Sequence, residues 1–126
     1  MNDSVTLTFL AETRNVSLAR TVAAAMSARV DLPLDQLEDV RLAVDEAVTQ
    51  VILDAPPGSE VSCRFTIVGE DLDVRVSAPS VSGAPPSRDT FSWTVLTALV
   101  DDVRATAEHG SVTLDLHISR NVSVGA

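Results

Sequence analysis

The longest uninterrupted periodic stretch of this chain, residues 33–53, constrains its fold more than any other feature. Apolar side chains recur along it at intervals of three and four residues: Leu37, Val40, Val44, Val48 and Val51. This spacing predicts a helix with one apolar stripe, and Pro33 suits its first turn. A helix of about 20 residues runs roughly 30 Å, the width of a small domain, so the remaining elements must pack along it.

Two polar residues lie on another side of the same helix. Glu46 and Gln50 are four residues apart and therefore share one face, one turn from each other. Such a pair is either part of a functional site or the solvated edge of a core helix. The residue types alone favour the solvated edge, because charged side chains are mostly exposed.

Composition excludes several classes of function. The chain has 126 residues, enough for one domain with a substantial core, and a formal net charge of −9. This charge disfavours direct binding to nucleic acid or to a membrane of anionic lipid, since both attract basic proteins. Lysine is absent, which excludes a phosphate-cradling or Schiff-base lysine. The single cysteine, Cys63, excludes an internal disulfide and a multi-cysteine metal site, and we interpret it as a small buried apolar residue.

The sequence gives no indication of membrane insertion or secretion. No run approaches the roughly 18 apolar residues of a membrane span. No basic segment followed by an apolar one is present, so a signal peptide is not predicted. We therefore expect the protein to act in the cytoplasm.

The segments around the long helix show clear periodicity of their own. Alternating apolar and polar residues predict five strands, at residues 4–9, 61–67, 72–78, 103–107 and 112–118. Helical patterns at residues 16–29 and 90–101 add two helices. The residues expected to face inward on the first of these are Leu18, Val22, Ala25 and Met26, followed by Val30.

The predicted element order, β-α-α-β-β-α-β-β, indicates an α+β fold. Three helices should cover one face of a mostly antiparallel five-stranded sheet, which gives a two-layer α/β sandwich. The opposite face is either solvated or an interface. Its polar side chains include Thr8, Arg64, Arg75, Asp115 and His117.

Three segments, taken in order and spacing, resemble a known family. They are residues 15–20 (NVSLAR), residues 39–50 (DVRLAVDEAVTQ) and residues 94–103 (TVLTALVDDV). They are similar to the first helix, the N-box helix and the helix after the nucleotide lid of the anti-sigma-factor serine kinases, the RsbW-like branch of the histidine-kinase-like (GHKL, Bergerat-type) ATPase fold. Residues 91–93 (FSW) are similar to the actinobacterial stress-response members. The resemblance covers nearly the whole chain and implies a single RsbW-like domain over residues 1–126.

The N box of the resembled family bears on catalysis. There an acid helps to activate the attacking hydroxyl, and an asparagine four residues later holds magnesium. By resemblance Glu46 stands at the acid position as a residual base, while Gln50 replaces the asparagine. An octahedral magnesium site tolerates such a displaced ligand poorly.

The other nucleotide motifs of the family are also substituted. Ala78 and Ser80 stand where the family has Asp-x-Gly, whose aspartate binds the adenine amino group. Thr90 and Ser92 stand at the Gly-x-Gly of the lid, where side chains would crowd a close approach to phosphate. The resemblance therefore implies a degenerate nucleotide site with no cofactor. The alternative, an active serine kinase, would require ATP and magnesium.

The resemblance also implies partners. One is a sigma factor, which binding keeps away from RNA polymerase. The other is an anti-anti-sigma factor of the STAS type, which active family members phosphorylate. The family also implies a homodimer. Arg20 corresponds to a partner-contacting arginine, and Arg14 shares its edge; both are either contact residues or ordinary surface. We interpret Phe91 and Trp93 as filling the space of the missing nucleotide, the alternative being an exposed anchor.

Overall fold

A computed structural model describes residues 3–121 and contains the predicted elements in the predicted order. A short 3-10 helix, Thr13–Asn15, precedes α1. The helices are α1 (Val16–Arg29), α2 (Leu34–Leu53) and α3 (Phe91–Leu99). The strands are β1 (Asp3–Leu10), β2 (Glu60–Val68), β3 (Asp71–Pro79), β4 (Asp102–Glu108) and β5 (Ser111–Ile118).

The five strands form one sheet in the order β1-β2-β3-β5-β4, and every neighbouring pair is antiparallel. The inward face of β2, β3 and β5 is almost fully buried beneath the helices. The predicted α+β sandwich is therefore confirmed. Cys63 lies on this inward face, where burial raises the pKa of its thiol to about 12.

Helix α2 is the central element that the sequence predicts. It begins one residue later than expected, with Pro33 as its cap. Val40, Val44 and Val48 are completely buried, whereas Leu37 is only partly buried. Most of the apolar stripe read from the sequence is therefore the core face of the helix.

The prediction for the inward face of α1 is partly wrong. Leu18 is 49% exposed and Ala25 is exposed, whereas Ala19 and Ala23 are completely buried. The alanines face α2, because side chains with a single methyl group allow two helix backbones to approach closely. The helical pattern was interpreted with the large leucine on the inward face, whereas close packing of two helices requires the small alanines there.

A buried amide ties the end of the described chain to the start of α2. The side chain of Gln36, which is 7% exposed, donates from Nε2 to the Ser119 carbonyl at 2.6 Å and accepts from the Asn121 amide at 2.9 Å. The sequence reasoning missed this residue because a single glutamine on a helix carries no sign of burial. None of the helices within residues 3–121 has the length and apolarity that would cross a membrane.

Candidate functional site

The C-terminal half of α2, the end of β3 and the following loop enclose a small cavity of about 160 Å³. Gln50 lines it together with Ala78 and Ser80, which lie on a distant segment of the chain. These are three of the positions that the family resemblance assigns to the nucleotide site, so the fold brings them together as that assignment requires. The remaining lining residues are Val51, Asp54, Pro79, Ser82, Ala84, Pro85, Pro86 and Val112.

The size and lining of this cavity do not fit ATP with magnesium. Sites for ligands of that size enclose about 300–1,000 Å³, whereas this cavity offers about 160 Å³. The only carboxylate in the lining, Asp54, accepts hydrogen bonds from Ser80 and Ser82 of the loop. The acidic neighbour of Gln50 in the lining is therefore already engaged by the loop.

The other assigned positions lie outside the cavity lining. Glu46 is a partly buried side chain on α2, one turn before Gln50. Thr90 caps α3 by accepting a hydrogen bond from the Trp93 amide at 3.1 Å. Ser92 follows within the first turn of α3, and its buried hydroxyl has no hydrogen-bond partner among residues 3–121. The lid positions of the resembled family therefore serve here as the beginning of a helix.

The interpretation of Phe91 and Trp93 as a joint plug is wrong for Phe91. That ring is 83% exposed at the start of α3. Trp93 is partly buried against the edge of the core, and the Arg88 guanidinium carbon lies 5.6 Å from its ring centroid. The loop after β3 lines this cavity with Ala84, Pro85 and Pro86, and neither aromatic ring is part of the lining. An isolated aromatic pair gives no indication of which ring faces inward.

A second surface surrounds Arg20 on the outer side of the helix layer. Its Nη1 lies 3.3 Å from Asp45 Oδ2, so an ion pair joins α1 to α2 while both side chains keep substantial exposure. Leu42, one turn before Asp45 on α2, is 56% exposed, whereas the exposed Leu18 lies on the other flank of α1 from Arg20. Arg14, before α1, pairs with Glu12 at 2.5 Å and is largely exposed.

The outer face of the sheet forms a third surface, with charges arranged in rows across the strands. One row contains Arg64, Arg75, Asp115 and Arg104, each directly opposite the next. The next row, two residues along each strand, contains Asp73, His117 and Asp102. Both rows line a shallow depression of about 670 Å³. Arg64 and Arg75 face each other across the strand pair, an arrangement of like charges that costs stability.

His117 is the centre of an acidic cluster on this face. Its Nδ1 lies 2.5 Å from Asp73 Oδ1, and its Nε2 lies 3.4 Å from Asp71 and 3.3 Å from Ser119 Oγ. The hydrogen bond with Asp73, together with the nearby carboxylates of Asp71 and Asp101, raises the pKa of His117.

This cluster does not have the geometry of a Ser-His-Asp hydrolase. A carboxylate on each side of the ring stabilises the imidazolium, which cannot take a proton from Ser119. The Ser119 amide already donates to Asp101 Oδ2 at 2.7 Å. Within residues 3–121, no group of three or more His, Cys, Asp or Glu side chains is arranged to hold a metal ion.

The sequence is similar to a known domain family and to named relatives. The sequence profile of the histidine kinase-like ATPase domain matches residues 9–117. The chain is 36% identical over 101 residues to a protein named anti-sigma-F factor RsbW from Mycobacterium tuberculosis, covering 80% of this chain and 60% of that protein. It is 26% identical over 129 residues to the anti-sigma F factor of Clostridium acetobutylicum, covering 90% of each chain.

Two further similarities concern activity and fold. The chain is 32% identical over 80 residues to the serine-protein kinase RsbW of Listeria monocytogenes, covering 61% of this chain and 51% of that protein. A crystal structure of RsbU and RsbW domains from Mycobacterium tuberculosis superposes with a TM-score of 0.69 and 17% identity, over 96% of this chain and 35% of that one. The chain thus spans about three fifths of the mycobacterial anti-sigma relative and about half of the Listeria one.

Proposed function

Because the chain belongs to the histidine kinase-like ATPase domain family, we propose that it is a cytoplasmic anti-sigma module that sequesters a sigma factor by protein contact and transfers no phosphate. The names of the relatives support the anti-sigma role. One observation carries the absence of kinase activity: three nucleotide-site positions line a cavity of about 160 Å³ that the chain's own loop encloses.

The alternative is an ATP-dependent serine kinase, and the retained Glu46 favours it. In that case Glu46 would act as the base on a serine hydroxyl of an anti-anti-sigma factor. The acid alone is insufficient, because phosphoryl transfer depends chiefly on positioned phosphates and metal ions. Gln50, Ala78 and Ser80 supply neither the magnesium-binding asparagine nor the adenine-binding aspartate of the resembled family.

The surface around Arg20 is the site that we assign to the partner. It combines a guanidinium with the exposed Leu42, which lies one helical turn from Asp45, and interface hot spots commonly pair arginine with surrounding apolar contacts. A partner carboxylate can bind the guanidinium beside Asp45, because the ion pair uses only one of its nitrogens at 3.3 Å. Arg14 extends this basic edge toward the start of α1.

A homodimer through the outer face of the sheet is part of this proposal. If two copies stack these faces about a twofold axis parallel to the charge rows, the arginine row of one copy lies over the Asp73–His117–Asp102 row of the other. This arrangement would offset the repulsion between Arg64 and Arg75. Sedimentation equilibrium at micromolar concentration tests it, and a monomer would contradict it.

Calorimetry with Mg-ATP tests the absence of a nucleotide function. We expect no binding up to millimolar ATP, and micromolar affinity would refute the proposal. Incubation with labelled ATP and a STAS-type anti-anti-sigma protein tests the kinase alternative, which predicts phosphate transfer that is abolished by Glu46→Ala. A pull-down against the sigma factors encoded with this chain tests the partner, and recovery of none of them would contradict the anti-sigma role.

A further inference from the structure

The loop between β3 and α3 turns back onto the C-terminal end of α2, where Asp54 binds it at several points. Asp54 Oδ2 accepts hydrogen bonds from the hydroxyls of Ser80 and of Ser82, the latter at 2.8 Å. Asp54 Oδ1 accepts from the Ser82 amide at 3.1 Å. The Asp54 carbonyl accepts from the Val81 amide at 2.7 Å. A single residue thus binds three consecutive residues of the loop.

The two serine hydroxyls also bind backbone amides further along the loop. Ser80 Oγ accepts from the Gly83 amide at 2.9 Å, and Ser82 Oγ accepts from the Ala84 amide at 3.2 Å. Gly83 adopts a φ of +67°, which the reversal of the chain requires and which other residues rarely adopt. Pro85 follows with a restricted backbone and lines the cavity.

The charge of Asp54 favours this loop over a nucleotide at the cavity. The hydrogen bonds from Ser80 and Ser82 lower the pKa of Asp54, so the carboxylate is ionised at neutral pH. An ionised carboxylate in the cavity lining attracts hydroxyl and amide donors and repels phosphate. Gln50 lies in the same lining and brings no positive charge that would offset this repulsion.

We propose that residues 80–86 form a built-in wall that narrows the family's nucleotide site, and that Asp54 is the residue that holds this loop in place in preference to an external anionic ligand. Residues 81–85 keep substantial exposure, while Ser82, Ala84 and Pro85 line the cavity. A consequence, which rests on the proposed anti-sigma function, is that partner affinity does not respond to nucleotide. Competition between partners is then what controls release.

Hydrogen exchange on the full chain without nucleotide tests this proposal. The amides of Val81, Ser82 and Ala84 are expected to be protected in the wild type. In Asp54→Ala the exchange of the Ser82 amide should accelerate by about tenfold or more, because its hydrogen bond to the charged carboxylate is lost. Exchange at Ala84 should also accelerate, because the Ser82 hydroxyl that accepts from it loses its own bond to Asp54. The Val81 amide donates to the backbone carbonyl of residue 54, which the variant keeps, so it should change least. Asp89→Ala is the matched control, since it removes an exposed carboxylate from the same connection and should leave these amides unchanged.

A second variant tests whether hydrogen exchange in the loop can accelerate while α2 stays protected. Ser82→Ala keeps the carboxylate and removes one donor and one acceptor, so it should accelerate exchange at Ala84 while the amides of Val48 and Val51 stay protected. Fast exchange of the loop in the wild type, or equal exchange in wild type and Asp54→Ala, would overturn the proposal. Either result would leave the pull-down and calorimetry to decide the anti-sigma role independently.

Discussion

Arg20→Ala separates a role in partner binding from a role in folding. Among residues 3–121 the side chain makes one ion pair, at 3.3 Å to Asp45, with side-chain exposures of 42% and 34%. Pairs this exposed contribute about 0.2–1 kcal/mol to stability. The substitution should therefore lower the free energy of unfolding by at most about 1 kcal/mol, which denaturant titration measures.

The effect on binding should be larger. If Arg20 is a hot spot of the interface, its truncation costs about 2 kcal/mol or more, which weakens Kd by roughly 30-fold. Arg29→Ala is the matched control, because Arg29 lies on the same helix and also makes one exposed ion pair, 3.0 Å from Asp3. Asp45→Ala is a second control that removes the Arg20 ion pair but keeps the guanidinium, so it should largely retain the affinity.

The assay is calorimetry with the sigma factor recovered in the pull-down. We expect similar Kd values for the wild type, Arg29→Ala and Asp45→Ala, and a clearly higher Kd for Arg20→Ala. If Arg20→Ala binds within twofold of the wild type, or if Arg29→Ala weakens binding equally, Arg20 is ordinary surface and the partner binds elsewhere.

Two further predictions concern packing and pH. Ala23→Leu should lower the free energy of unfolding by about 1–3 kcal/mol, because the larger side chain overpacks the buried contact with α2. Ala25→Leu, at an exposed position two residues later, should change it by less than about 0.5 kcal/mol. Equal effects in denaturant titration would disprove the assigned face of α1. The raised pKa of His117 means that the protonated ring stabilises the folded state, fully below its ordinary pKa of 6.5 and no longer once pH rises through the folded value. His117→Gln should therefore lower Tm more at pH 5.5 than at pH 8.5, and a pH-independent difference would refute this role.

The proposed function illustrates how a binding fold can remain while its ligand chemistry changes. Gln50, Ala78 and Ser80 converge in space and line a cavity of about 160 Å³ beside a proline-containing loop, whereas Glu46, Thr90 and Ser92 lie outside its lining. Under the proposal, the outer surface of the helix layer binds the partner while the interior site takes no nucleotide.

Sequence periodicity predicts where residues of regular elements lie, and it fails in the irregular segment. Gln50 and Ala78 share one cavity because they lie at fixed positions on a helix and a strand, and their assignment to a nucleotide site stays a prediction. Asp54 and Ser82 were missed, although both were visible as loop residues. Their interaction joins positions 28 residues apart, and no local pattern predicts which polar groups a loop will bring together.

The sequence by itself determined the order of elements, the long central helix and the inward faces of the strands, because these depend on local periodicity of apolar side chains. Only the tertiary structure decided which face of α1 is buried, that Phe91 is exposed, and that the loop after β3 is bound by Asp54. Each of these depends on which residues distant in sequence come into contact, through the close approach of alanine-lined helices or through hydrogen bonds to one carboxylate. Periodicity along the chain does not predict such tertiary contacts, because they form and contribute free energy only when the elements pack together.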